Sequence, residues 1–251
     1  ISKMIILSIL FFITAILYSS VGFGGGSTYL ALLLIWNIPY FIFPVIALFC
    51  NIIVVTGNSI NYILAGNHNI KVLIPFLIGS IPLAFIGGTL IIDKEIFEIL
   101  LFIVLSIAGL LLLLNNKSYG EKKIIIKKIN FFISIIIGSI LGFVSGVVGI
   151  GGGIFLSPIL FLFKADSPKN IVTNASLFIL INSISGIFGQ LSKENIINEI
   201  SPYWPLFFAV LVGGLFGNFL NLKIFSNRIL ALITSLLVIF VAVRMGLKIF
   251  I

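Results

Sequence analysis

The chain is a succession of apolar runs, most of them long enough to cross a bilayer. Eight long runs follow one another: Met4–Val21, Tyr40–Leu64, Val72–Ile92, Ile96–Leu114, Ile129–Val148, Ile171–Leu191, Tyr203–Leu222 and Ile229–Phe250. About 20 apolar residues span the hydrocarbon core as a helix. In lipid only helices and closed barrels satisfy their own backbone polar groups. A barrel would alternate apolar and polar residues in short strands, and these runs do not alternate. The charge content agrees. Only 9% of the residues are charged and 60% are hydrophobic, whereas a soluble domain carries about 25% charged residues. So few charges cannot cover a water-facing surface, so the exterior faces lipid. The fold expected is an all-α polytopic membrane protein. Met4–Val21 lacks the cleavage site and polar mature domain of a signal peptide, so it reads as the first retained span.

Two further apolar runs are short, Thr28–Ile38 and Ile154–Phe163, and each follows a glycine-rich stretch. Val21-Gly22-Phe23-Gly24-Gly25-Gly26 matches Val148-Gly149-Ile150-Gly151-Gly152-Gly153, 127 residues later. Each short run ends in a polar break, Asn37-Ile38-Pro39 in one case and Asp166-Ser167-Pro168 in the other. Pro75 and Pro202 also stand 127 apart, and Gly87 and Gly217 stand 130 apart. Matches in the same order imply an internal duplication. The one extended hydrophilic segment, Asn115–Lys128, holds Lys117, Lys122, Lys123, Lys127 and Lys128 against Glu121. The organisation expected is a first transmembrane repeat over 1–114, a Lys-rich cytoplasmic linker over 115–128 and a second repeat over 129–251. Each repeat has four long helices and one short, broken one.

If the short pieces complete their own crossings, the halves are inverted. If each is the second part of a broken span, the halves are parallel. In the inverted scheme one side holds Lys71, the central lysines, Lys164, Lys169, Lys223 and Arg228, and the other holds Lys3, Lys94, Lys193, Arg244 and Lys248. The positive-inside rule puts the central loop in the cytoplasm. The parallel scheme splits the charges about as unevenly, so charge does not decide. Paired broken segments are typical of inverted-repeat transporters, and an inverted repeat with both termini outside is the arrangement expected.

The chemistry is expected at the glycines. Each glycine inside a helix costs about 1 kcal/mol relative to Ala, so Gly24, Gly25 and Gly26, and again Gly151, Gly152 and Gly153, should interrupt their helices. The following helix then begins with free N–H donors and partial positive charge, which suits an anion. Without a Cβ, glycine lets the backbone approach closely. Ser27 and Thr28 add hydroxyls at the first break; Ile154 and Phe155 stand at the second. A glycine run also permits tight helix packing. Its duplication, each copy opening a half-length helix, favours a binding site. Within the spans, Asn51, Thr173 and Asn174, followed by Asn182 and Gln190, are the amides and hydroxyl expected to touch substrate. Thr56, Asn58, Ser59, Asn61, Ser176, Ser183 and Ser185 are further polar groups of the same spans. Intramembrane polar groups point into the bundle or a watery cavity.

Several classes are excluded or disfavoured. The net charge of +8 reads as lysine-rich loops that meet anionic lipid heads. No basic face is interleaved with exposed aromatics, so no nucleic-acid partner is expected. One cysteine, Cys50, rules out an internal disulfide and a multi-Cys metal site. His68, the single histidine, sits in a polar turn. No acid or base falls at the centre of a span, which argues against a cation pump. No catalytic cluster is visible, so neither an enzyme nor a metal site is expected. The partners expected are a small anionic substrate and the lipid bilayer; a homo-oligomer is compatible with the sequence.

At these residues the chain resembles the sulfite exporter TauE/SafE family, the TSUP group of bacterial membrane transporters. The resemblance rests on Gly22–Gly26 and Gly149–Gly153, on Ser157-Pro158, on Thr173-Asn174-Ala175-Ser176-Leu177 and on Asn182-Ser183-Ile184-Ser185-Gly186. It covers nearly the whole chain. It implies transport of sulfite, sulfoacetate or related sulfur-containing anions and organic acids, a bacterial inner membrane, and no cofactor. The first copy departs from the pattern at Ala47-Leu48-Phe49-Cys50-Asn51, which lacks the expected Thr-Ser pair. A passive anion channel, or a transporter of an unrelated small metabolite, is the alternative.

Overall fold

The computed structural model describes residues 2–20, 22–64, 66, 69–114 and 128–220, with short pieces between 236 and 247. Among them every regular element is helical: α1 (Ser2–Ser19), α2 (Gly26–Ile35), α3 (Phe43–Leu64), α4 (Ile70–Thr89), α5 (Lys94–Leu114), α6 (Phe131–Val148), α7 (Gly153–Leu162), α8 (Pro168–Leu191), α9 (Ile196–Ile200) and α10 (Trp204–Leu220). Five segments are long and apolar enough to cross a membrane: Tyr40–Leu64, Ile70–Thr89, Phe131–Val148, Lys169–Leu191 and Ile196–Asn218. They coincide with five of the eight expected spans. Of the other three, Met4–Val21 falls on the shorter apolar helix Lys3–Ser19 and Ile96–Leu114 falls in α5. The last run, Ile229–Phe250, lies largely outside the described residues, as do most of the linker, His68, Lys223, Arg228, Arg244 and Lys248.

Local chemistry sets the helix ends. The Asn130 side chain accepts from the amides of Phe132 and Ile133 at 2.9 and 3.4 Å and starts α6. Ser167 accepts from the amide of Asn170 at the start of α8, with Pro168 at its first position. This is the usual N-cap arrangement, in which a short polar side chain satisfies an orphan donor.

Small residues set how close the helices come. Gly138, Gly142 and Gly146 of α6 lie, in that order, against the backbone of Phe76, Ser80 and Ala84 of α4. A Cβ on Gly142 would stand 2.5 Å from the Ser80 Cα. In lipid such spacing replaces hydrophobic attraction, because only close backbone contact distinguishes a neighbouring helix from acyl chains. Gly213 and Gly217 of α10 lie likewise against Phe12 and Ile16 of α1.

These contacts also fix directions. Residue numbers rise together along α4 and α6, and along α1 and α10. They rise together along α4 and α8, since the Asn174 side chain holds the Asn69 backbone and Ser185 donates to the Ile81 carbonyl at 2.6 Å. They rise together along α3 and α10, where Gly214 faces Val54 and Asn61 donates to Asn218 at 2.8 Å. Between α3 and α8 the order reverses: Leu48 meets Gly186 and Ser59 meets Ser176. Hence α1, α3 and α10 run one way and α4, α6 and α8 the other. The short α2 turns back along α1, tied by Tyr18 to Thr28 at 2.7 Å and by the Trp36 indole to the Lys3 carbonyl at 3.1 Å.

Candidate functional site

Both glycine stretches break the helix. After α1 the chain passes through Gly22 (φ 85°) and Gly25 (φ 80°) before α2 starts. After α6 it passes through Gly149 (φ 89°), Gly151 (φ 82°) and Gly152 (φ 76°) before α7 starts. Positive φ at so many positions admits glycine and little else. Neither Gly25 nor Gly152 offers a capping side chain, so the orphan donors at both helix starts lack the usual partner.

The two breaks approach from opposite ends of the bundle. Gly22 packs on Tyr62, near the end of α3, while Gly149 packs on Pro44, near its start. They meet at Asn51, about 12 Å into α3 at 1.5 Å per residue. A Cβ on Gly24 would stand 2.9 Å from the Asn51 Cγ. One on Gly26 would stand 2.8 Å from both Asn51 Nδ2 and the Ile150 carbonyl, and one on Gly151 2.8 Å from the same Nδ2. The amide donates to the Gly149 carbonyl at 3.5 Å. Ile179 of α8 closes the opposite wall, touching Gly24, Gly151 and Gly153, with the Ser183 hydroxyl beside Gly151. Thus the positive ends of α2 and α7 lie against one pair of side chains.

Two polar atoms at this point lack protein partners: Asn51 Oδ1 and Ser183 Oγ are buried without a hydrogen bond among the described residues. An unsatisfied buried polar group costs about 1–3 kcal/mol, so each calls for an explanation. Asn51 itself is wholly inaccessible. Among the described residues, none of the side chains nearest the glycines of the two breaks is charged. Among the described residues no cluster of His, Cys, Asp or Glu could hold a metal ion.

The structure brings together Gly24, Gly26, Asn51, Gly151 and Gly153; Gly25 and Gly152 stand next to them in the chain, against Tyr18 and Phe178, and Ser27 is buried in the first turn of α2. It puts the other sequence candidates to different use. Thr28 bonds Tyr18 and ties α2 to α1. Thr173 donates to its own helix at the Lys169 carbonyl, 3.0 Å away. Asn174 brackets the Asn69 backbone in the α3–α4 turn, where the buried Asp166 carboxylate also accepts from Asn69 at 2.6 Å and Asn170 at 2.9 Å. Asn182 donates to the Phe178 carbonyl at 2.8 Å. Gln190 donates to the Gly146 carbonyl and accepts from Lys193, both at 2.8 Å. Sequence reasoning did not single out Ile179; an isoleucine in an apolar run carries no signal. Ser183 was visible only as one hydroxyl among many.

A cavity of about 280 Å³ opens at the end where α8 finishes, between Tyr40, Pro44, Val147, Lys193, Glu194 and Glu199. Pro44, which lines it, packs on Gly149 of the second break. Burial lowers the Lys193 ammonium to about 8 from an ordinary 10.5.

The family model for sulfite exporter TauE/SafE matches residues 7–245. The chain belongs to the TauE/SafE family. It is a multi-pass membrane transporter by that membership and by its apolar helices. It is 25% identical over 92% of its length to a "Probable membrane transporter protein" of Sinorhizobium fredii, 93% of which is covered. It is 31% identical over 75% of its length to a protein of the same description from Methanocaldococcus jannaschii, 73% of which is covered. No solved structure matches.

Proposed function

We propose that this TauE/SafE protein carries a small oxyanion, sulfite or a related sulfur-containing or organic anion such as sulfoacetate, through the point where the two glycine breaks meet. The observation that carries the reading is that α2 and α7 both begin against Asn51. Two helix N-termini and a neutral amide replace the anion's hydration shell without a fixed cation. The halves, 1–114 and 129–251, form an inverted repeat. Helix directions support this: α1 and α6, which lead into the matching glycine stretches, run oppositely, and so do α3 and α8, the long helices that follow them. The way α2 folds back along α1 supports it too, since each glycine strand and its short helix together complete a crossing. Motion of one half against the other would alternate access. The end bearing Lys71, Lys128 and Lys169 faces the cytoplasm of an inner membrane, as the positive-inside rule requires.

The test is sulfite flux into proteoliposomes. Gly25→Leu and Gly152→Leu should abolish it while both variants still insert and purify; normal flux in either removes that break from the mechanism. A second reading, a passive anion channel, draws on the uncharged side chains that stand nearest the two breaks among the described residues. Electrical current far above carrier turnover would favour it.

A further inference from the structure

Two clefts of similar build open beside the first turns of parallel, glycine-packed helices, and only one of them carries charge. The cleft between α1 and α10 measures about 620 Å³, and Met4, Phe12, Trp204 and Phe208 are typical of its uncharged lining. The cleft between α4 and α6 measures about 420 Å³ and has Lys71 on one wall and Lys128 on the other. Its remaining surface combines the polar Asn69 with Pro75, Ile129 and Phe131, and no acidic residue lines it. The flanks of α4 and α6 are apolar and exposed, as at Ile78, Phe132 and Ile136, so this side of the pair faces acyl chains.

Among the described residues neither lysine has an anionic partner. The ion pair found among the described residues joins Lys94 and Glu98, at the other end of the bundle. Asp166, the nearest buried acid, is occupied by Asn69, Asn170 and the Ser167 amide. Two ammonium groups facing one cleft repel each other unless an anion lies between them. Both stand where spans begin, at the depth of lipid headgroups.

We propose that the α4–α6 cleft binds an anionic phospholipid, its phosphate between Lys71 and Lys128 and the top of an acyl chain along Pro75 and Phe131. A free oxyanion would satisfy the lysines but leave the apolar wall unused; a lipid engages both. Basic clefts between transmembrane helices suit such headgroups. The site is separate from the transport site and stands whether or not the chain carries sulfite.

Native mass spectrometry of the full chain in detergent tests it, with phosphatidylglycerol and phosphatidylcholine as probes. The wild type should retain phosphatidylglycerol in several-fold preference. The double variant Lys71→Gln/Lys128→Gln should lose that preference, and Lys94→Gln should keep it. Thermal stabilisation by added phosphatidylglycerol should disappear in the same double variant, which also checks that it is folded. Equal retention of the two lipids by the wild type, or an unchanged preference in the double variant, overturns the proposal. Release of phosphatidylglycerol by millimolar inorganic phosphate or sulfite also overturns it, and assigns the lysines to a free anion.

Discussion

Asn51 sits in an unusual position for a buried amide. Its Nδ2 makes one long bond to the Gly149 carbonyl, and its Oδ1 has no partner among the described residues. Packing alone would favour an apolar residue there, because an unsatisfied buried polar group costs about 1–3 kcal/mol. Asn51→Leu is therefore expected to hold or raise thermal stability while cutting sulfite flux at least about tenfold, a loss of about 1.4 kcal/mol at the barrier. A variant that loses flux and stability together would make Asn51 a structural residue. Lys193 offers a different test. Its ammonium is lowered to about 8 in the fold against 10.5 when free, so between those values the unfolded chain holds a proton that the folded one has released. Stability then rises with pH across that window. Melting temperatures of the wild type should climb relative to Lys193→Met from pH about 8 upward; parallel curves would show that Lys193 titrates normally. Asn51 was legible in the sequence, as an amide within an apolar run. The uses of Asn174 and Gln190 were not, because a carbonyl on another helix leaves no mark on the side chain that will bind it.

The glycine breaks were the most legible elements, since three consecutive glycines weaken a helix in any context. Left-handed φ favours glycine at Gly22, Gly25, Gly149, Gly151 and Gly152, and close contacts leave no room for a Cβ at Gly24, Gly26 and Gly153. At Gly25 a Cβ would also press on Tyr18 and Tyr29 at 3.1–3.2 Å, and at Gly152 on Phe178 at 2.8 Å. The leucine variants thus meet strain of about 1–3 kcal/mol from φ, plus crowding at the helix start itself. They are expected to disturb the meeting point before they disturb the bundle, so insertion should survive while flux does not. The direction of α2 was not legible. A short helix after a break can continue its span or fold back, and here contacts far apart in sequence decide, chiefly Trp36 on Lys3 and Tyr18 on Thr28.

Across the described residues the helices of 1–114 pack closely on those of 129–220. α4 lies on α6 as α10 lies on α1, and α3 and α8 cross at the centre. Each half therefore relies on the other for its closest helix contacts. The hydroxyls of Ser59 and Ser176 meet at 3.2 Å across the α3–α8 seam, so sulfurs at both positions would come within reach of a disulfide. In a Cys50→Ala background, Ser59→Cys/Ser176→Cys should cross-link on oxidation and stop sulfite flux, and reduction should restore it. Undiminished flux through the oxidised protein would mean that the two halves need not move along this seam. The number of crossings was legible from run lengths only as far as the described helices reach, and charge could not choose between parallel and inverted halves.

If an anion rests where the two breaks meet, it can be located directly. Selenite is an oxyanion close to sulfite in shape, and its selenium gives an anomalous signal in diffraction. Crystals grown with selenite should show one peak between the starts of α2 and α7, within hydrogen-bonding reach of the Ser27 and Ile154 amides and of Asn51. Selenium found only at the lysine-bearing ends, with that point filled by protein alone, would contradict that placement.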